Sequence, residues 1–234
     1  MISILRSRRS DVAATARMVV SAGLVEAFGH VSARTERGFL ITSTRPMSEC
    51  TAEDVILVDA GVPVQGPVDR LPLEAPMHDA IYRARPGVGA ICRGHPPFAV
   101  TWGITTERLP LRHGLGGIAG AVVKVHPEIE LVKSADHAHR VAATLGDDFS
   151  MLLEANGALS VGSDLLEAAT RLWFLEERAR VALQARSARI GVESRPERLW
   201  KLRMEDSGAE LVRAKRWMLQ TFGEPSRTGP GRGP

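Results

Sequence analysis

Glu74-Ala75-Pro76-Met77-His78-Asp79-Ala80-Ile81-Tyr82-Arg83-Ala84-Arg85-Pro86-Gly87-Val88-Gly89-Ala90-Ile91-Cys92-Arg93-Gly94-His95-Pro96-Pro97 is the stretch on which the reading of this chain turns. Pro76 fits the first turn of a helix, where its missing N–H is not needed, and Pro86 stops that helix at about Arg85. Val88–Cys92 then reads as a buried strand. It runs into Arg93-Gly94-His95-Pro96-Pro97, and a short helix is expected over Phe98–Gly103. Chemically capable side chains therefore sit at element ends, Glu74 before the helix and Arg93 and His95 after the strand.

Working outward, Ser10–Leu24 has helical spacing, with Ala13, Ala16, Val19, Val20 and Leu24 near one face and Ser10 as the N-cap. Gly29 breaks it. Gly38–Ser43 and Val55–Asp59 read as short strands, the second ending at the turn Asp59-Ala60-Gly61. On the other side, Gly114–Gly120 is a Gly-rich loop, Ala121–Val125 a strand and Ala135–Leu145 a helix. Ser150–Leu153 and Ala158–Val161 are strands flanking the turn Glu154-Ala155-Asn156-Gly157. Asp164 and Glu167 give a capping-box-like start to a long amphipathic helix reaching about Ala185, whose Leu165–Leu175 stripe is core or interface packing. A final helix spans Arg198–Phe222, with Trp200 and Trp217. Strands and helices mix along a single domain over residues 1–222, so an α/β layered fold is expected, and the Gly/Pro-rich end at 223–234 reads as a disordered tail.

The bulk numbers narrow the function classes. The chain has 234 residues, 44% hydrophobic and 24% charged, an ordinary globular composition. The net charge is +3, and residues 195–234 carry nine Lys/Arg against five Asp/Glu, leaving 21 against 22 elsewhere. A near-neutral body argues against a nucleic-acid surface. No apolar run approaches a membrane span, so no membrane partner is expected. The N-terminal Met-Ile-Ser-Ile-Leu-Arg lacks the apolar core of a signal peptide. Two cysteines, Cys50 and Cys92, make no disulfide framework and suit a reduced, cytoplasmic setting.

The Glu74–Pro97 block resembles the core signature of the class II aldolase/adducin family: a Glu, a helix with Ile-Tyr-x-x-Arg-Pro-x-Val, then a strand ending in His-x-His-Pro. Gly29-His30-Val31-Ser32-Ala33-Arg34 is similar to the family's Gly-Asn-(Ile/Val)-Ser-x-Arg, and Glu154-Ala155-Asn156-Gly157 with Val161-Gly162 to its Asn-His-Gly…Val-Gly turn. The resemblance covers roughly residues 10–185. It implies a three-layer α/β/α domain with a largely antiparallel central sheet, and a homo-oligomer, usually a tetramer, with sites near subunit interfaces. It spans aldolases, epimerases, a dehydratase, decarboxylases and non-enzymatic adducins, so membership does not choose a reaction.

The family holds a divalent metal on three histidines beside a Glu. Here Arg93 stands at the first histidine and Asn156 at the third. His95 remains, with Glu74 at the acid/base position. Three readings stay open. His95 and Glu74, with His30, form a replacement metal site; or Arg93 supplies the positive charge and holds a substrate carboxylate; or the pocket is inert and Arg93 pairs with Glu74. Tight zinc is not expected at that three-histidine site, because arginine only donates and repels a dication. The phosphate-collecting features are altered too: Gly29-His30 replaces Gly-Asn, the turn reads Thr42-Ser43-Thr44-Arg45-Pro46, and Pro72-Leu73 replaces a Ser-Ser pair. A phosphosugar is thereby disfavoured, and the pattern is nearest the decarboxylase-like branch. The aldolases' His-Tyr is His113-Gly114 here. The expected function is a lyase acting on a small non-phosphorylated carboxylic acid by decarboxylation or retro-aldol cleavage. Its candidate catalytic residues are Glu74, His30 and His113, and Arg93, Arg45, Gly29, Ser43 and Asn156 would line the substrate. The alternative is a non-catalytic oligomeric binding protein. His78 reads as structural, His126, His137 and His139 as surface or core residues rather than ligands, and Cys92 as a buried thiol.

Overall fold

Alternation along the strands builds the sheet. The computed structural model describes residues 2–190, 195–205 and 207–223. Helix α1 (Ile2–Ser21) leads into strands β1 (His30–Arg34), β2 (Gly38–Thr42), β3 (Val55–Asp59) and β4 (Val62–Gln65). Helix α2 (Ala75–Ala84) precedes β5 (Ala90–Gly94), and the short α3 (Pro97–Gly103) leads towards β6 (Lys124–His126) and α4 (Ala135–Leu145). The chain continues through β7 (Ser150–Leu153), β8 (Gly157–Gly162), α5 (Leu165–Ser187), α6 (Glu197–Glu205) and α7 (Ser207–Phe222). The eight strands form one sheet in the order β4-β3-β2-β1-β5-β8-β7-β6. Every pairing is antiparallel except β6 with β7.

The period-2 alternation of β-strands separates two cores. Leu40, Val55, Ala90, Cys92, Leu152 and Ala158 pack with α1, α3 and α5 on one face. Phe39, Ile41, Ile56, Ile91, Met151 and Leu159 pack with α2 and α4 on the other. Helices thus cover both sides, giving the expected three-layer α/β/α fold with a largely antiparallel sheet. Two of the helix starts read from caps and prolines hold: Pro76 lies in the first turn of α2, and Asp164 accepts from the Glu167 backbone N–H at 2.8 Å.

Several local readings need correction. α1 begins at Ile2, so Ser10 lies inside the helix rather than at its N-cap; residues 2–9 contain no Gly or Pro to stop it. Strand β1 has no counterpart in the sequence reading, because its His30, Ser32 and Arg34 face is polar although buried or half-buried. The edge strand β4 is exposed and carries Pro63, which hides a strand pattern. Gly114–Ala119 forms 3-10 turns rather than an open loop. The last helical region is two helices, α6 and α7. Of the tail read at 223–234, residues 224–234 lie outside the described residues. Both cysteines are free and buried.

Candidate active site

Two periodicities meet where α2 lies on β1. Glu74, His78 and Tyr82 recur every fourth residue and share one helix face; His30 and Ser32 recur every second residue and share one strand face. The result is a polar seam through an otherwise apolar layer. His30 Nε2 lies 3.1 Å from Glu74 Oε2, and His30 Nδ1 is 2.6 Å from His78 Nε2. Ser32 Oγ is 2.6 Å from His78 Nδ1 and 2.8 Å from the Tyr82 hydroxyl. The carboxylate fixes the direction of the whole chain. An ionised Glu74 only accepts, so His30 donates from Nε2 and accepts at Nδ1. His78 must then donate from Nε2 and accept at Nδ1 from Ser32, whose oxygen accepts from Tyr82. Every donor in the series points towards Glu74. Arg34 closes the far end, donating to the carbonyls of Tyr82, Arg85 and Val88.

Arg93 meets this seam from β5. Its register partner on β1 is His30 and on β8 is Leu159, which places the guanidinium beside Glu74 and the β7–β8 turn. Arg93 Nε lies 3.2 Å from Glu74 Oε2 as an ion pair without hydrogen-bond alignment. Nη1 contacts the ring nitrogens of His95, and Nη2 donates to the Asn156 carbonyl at 2.8 Å and to its Oδ1 at 3.0 Å. His95 Nδ1 in turn donates to the Phe28 carbonyl at 2.8 Å. Gly29 is needed at the entry to β1, because a Cβ there would stand 2.9 Å from the Arg93 carbonyl oxygen.

The electrostatics follow from burial and pairing. Arg93 is 2% exposed, His30 5% and Glu74 7%. Burial by itself would raise the Glu74 carboxyl, but the His30 hydrogen bond, the Arg93 charge and the Val132 backbone amide outweigh it and hold the pKa at about 2. Glu74 Oε1 nevertheless has no partner in good hydrogen-bond geometry. Burial lowers His30, with Glu74 partly offsetting it, and lowers His78 further. Burial and then Arg93 lower His95. At neutral pH the cluster is therefore one carboxylate and one guanidinium among neutral imidazoles. The half-buried His95 and Asn156 and the exposed Phe28 form its rim.

Not every residue singled out in the sequence joins this cluster within one chain. Arg45 is engaged by Asp54 at 3.5 Å and Glu49 at 3.3 Å, and Ser43 accepts from the Arg45 backbone N–H. His113 packs beside Gly116 against α5; its charged neighbours are Glu177, Arg178 and Arg180. His78, read as structural, sits inside the seam with Ser32 and Tyr82, and the Glu-x3-His-x3-Tyr spacing was the signal for it. His126 and His137 are brought together with Glu128, a grouping that no local spacing announces.

The sequence model of the family described as Class II Aldolase and Adducin N-terminal domain matches residues 10–183. A 3,4-dihydroxyphthalate decarboxylase of Terrabacter sp. (strain DBF63) is 29% identical over 197 residues, 78% of this chain and 82% of that protein. Another of that name, from Rhodococcus jostii (strain RHA1), is 28% identical over 202 residues, 79% of this chain and 82% of that protein. Among solved structures, an L-fuculose-1-phosphate aldolase from Thermus thermophilus aligns with a TM-score of 0.69 and 29% identity over 80% of this chain and 100% of that one. The sheet order, the two helical layers and the match over residues 10–183 make this chain a member of the class II aldolase and adducin family.

Proposed function

We propose that this protein is a lyase that cleaves a C–C bond in a small, non-phosphorylated carboxylic acid, with decarboxylation as the reaction. The observation that carries the proposal is the buried Glu74–Arg93 pair, ionised and bordered by the half-buried His95 and Asn156. The decarboxylase names of the relatives at 29% and 28% identity support it.

Arg93 presents two nitrogens towards this rim, the fork that suits a carboxylate. When the bond to the departing carboxylate breaks, CO2 leaves and the electron pair stays on carbon beside the guanidinium charge. One proton, drawn from solvent through Glu74, then replaces the CO2 on that carbon. Glu74 is ionised at neutral pH and starts as the base. His30 holds it from the protein side, and the Ser32, His78 and Tyr82 series fixes the His30 tautomer. Arg45, Ser43 and His113 lie outside this cluster; Ser43 is buried within its own chain, and we assign Arg45 and His113 to a neighbouring subunit's site in a homo-oligomer, a tetramer being favoured.

The family generally uses a divalent metal. The residues here do not fit one at the corresponding position: the Arg93 guanidinium already lies against His95 and Asn156, which have turned their acceptors to it. A dication there would face a buried cation at ligand distance. No step of the reaction runs through a metal at that position.

A second reading, a non-catalytic binding protein, is favoured by the engagement of all three Arg93 nitrogens with protein groups. The discriminating experiment offers 3,4-dihydroxyphthalate and simpler aromatic carboxylates to the purified full chain and follows CO2 release. Turnover that is abolished in Glu74→Gln, with carboxylate binding lost in Arg93→Ala, is the expected result. Turnover that survives Glu74→Gln intact refutes the assignment, and the absence of turnover across the panel favours the binding protein.

A further inference from the structure

We propose that His126, Glu128 and His137 form a site for one divalent transition-metal ion of the zinc class, separate from the Glu74 cluster. His126 is the last residue of β6, Glu128 follows two residues later, and His137 lies in the first turn of α4 with its backbone N–H held by Ser134 Oγ at 3.2 Å. The two imidazoles are 2% and 5% exposed, and their Nε2 atoms face each other at 3.2 Å. Glu128 Oε1 stands 3.5 Å from His126 Nε2, and Oε2 stands 3.3 Å from His137 Nε2.

The 3.2 Å between the two imidazole nitrogens is close to the spacing of neighbouring ligands on one ion, and Glu128, which turns a different oxygen to each imidazole, supplies one of them as the third ligand. Zinc bonds to histidine nitrogen and carboxylate oxygen are about 2.0–2.2 Å, so neighbouring ligand atoms around a tetrahedral ion lie about 3.3–3.5 Å apart. The tautomer also suits the role. The Thr144 hydroxyl donates to the Arg140 carbonyl at 3.0 Å, so its oxygen accepts the His126 Nδ1–H at 2.9 Å. That leaves His126 Nε2 as a bare lone pair aimed at His137 and Glu128. A metal-binding imidazole is ordinarily oriented in this way by a hydrogen bond on its other nitrogen.

Arg140 is the competing cation. It grips both Glu128 oxygens at 2.7 Å, but its side chain is 55% exposed and free to retain the outer lone pairs or withdraw. The donor set of two imidazoles and one carboxylate leaves a fourth position for water or a ligand, and Glu128 is only half-buried on that side. The ion would tie the end of β6 to the start of α4. The segment between them carries Val132, which is 1% exposed and whose backbone amide approaches Glu74. Its role is thus to brace the wall of the candidate active site. The ion's binding is independent of the proposed reaction.

The test titrates zinc chloride into the metal-stripped, tag-free full chain against a chromophoric chelator, with cobalt(II) absorption reporting tetrahedral geometry. One equivalent should bind, raise the melting temperature and give a tetrahedral cobalt spectrum. His137→Gln and Glu128→Gln should weaken binding by about 100-fold or more, since each removes one of only three ligands. Arg140→Ala should leave affinity unchanged or tighten it, and His95→Ala should leave it unchanged. The Glu128 variant is half-exposed and keeps the assay readable if His137→Gln fails to fold. Zinc held no more tightly than about millimolar, the range of incidental surface binding, overturns the proposal. So does zinc lost in His95→Ala but retained in Glu128→Gln. In either case the histidines are simply hydrogen-bonded, with Arg140 the sole cation on Glu128.

Discussion

Replacing Glu74 with Gln keeps the side chain's shape and removes its charge, which isolates the electrostatic contribution of the buried pair. A carboxyl held at about 2 against an ordinary 4.5 corresponds to about 3 kcal/mol of folding stability at neutral pH. A buried cation left without its partner gives a similar figure of about 3–5 kcal/mol. The sign is fixed by the direction of the perturbation. The folded pKa is depressed, so the contribution is complete above about pH 4.5 and disappears as pH falls towards 2. Glu74→Gln should therefore unfold at lower urea than the parent at about pH 7.5, by about 3 kcal/mol, while remaining folded without denaturant. The gap between the two proteins should close between pH 4.5 and pH 2. In a chain of this size that gap is about 6–12 °C in melting temperature. Urea unfolding at one protein concentration over a series of pH values measures it. Equal stability near neutral pH, or a gap that persists unchanged into acid, would refute the charge-pair account.

Two further outcomes test the surroundings of the pair. Tyr82→Phe removes the terminal donor to Ser32 and should reduce stability by about 1 kcal/mol in thermal melts, because the inner Ser32–His78–His30 bonds remain satisfied. Gly29→Ala drives a Cβ to 2.9 Å from the Arg93 carbonyl, so β1 and β5 must part; carboxylate binding should fall at least about tenfold by calorimetry, following roughly 1.4 kcal/mol of misplacement.

What the sequence makes legible divides along a physical line. α2, α4 and α5 are readable because their signals are local: Pro76 in a first turn, Asp164 at an N-cap, and apolar spacing along each helix. β1 is not, because its buried face is polar. A strand whose inward side chains are His30 and Ser32 looks like an exposed loop until the matching polar stripe of α2 is laid over it. Glu74, His30, Arg93, His95 and Asn156 stand out separately in the sequence, and the structure gathers them from β1, β5, the β7–β8 turn and the flanks of α2 and α3. His126 and His137 read as surface or core residues because eleven residues separate them and neither sits in a recognised spacing. Arg45 and His113 come forward from the resemblance, yet neither joins the cluster of a single chain.

The exchange of a histidine for Arg93 changes the charge of the site more than its shape. A dication on neutral imidazoles beside one carboxylate leaves net positive charge, which suits a phosphate dianion. A guanidinium beside the same carboxylate is neutral as a pair, and the Ser-Ser donors are replaced here by Pro72-Leu73. Such a site holds a phosphosugar poorly. On the proposed function, a monocarboxylate would bind there only by competing with Glu74 for one guanidinium. The series running from Tyr82 through Ser32, His78 and His30 makes that competition workable. It binds Glu74 Oε2 independently of Arg93, so the carboxylate stays ionised and in place while the guanidinium is shared. Without it, a substrate that displaced Glu74 from Arg93 would leave a buried, unsatisfied carboxylate, which would take up a proton and cease to act as a base. On the proposed function, the polar seam under α2 is thus what would keep Glu74 ionised as the acid/base residue of a site built around arginine.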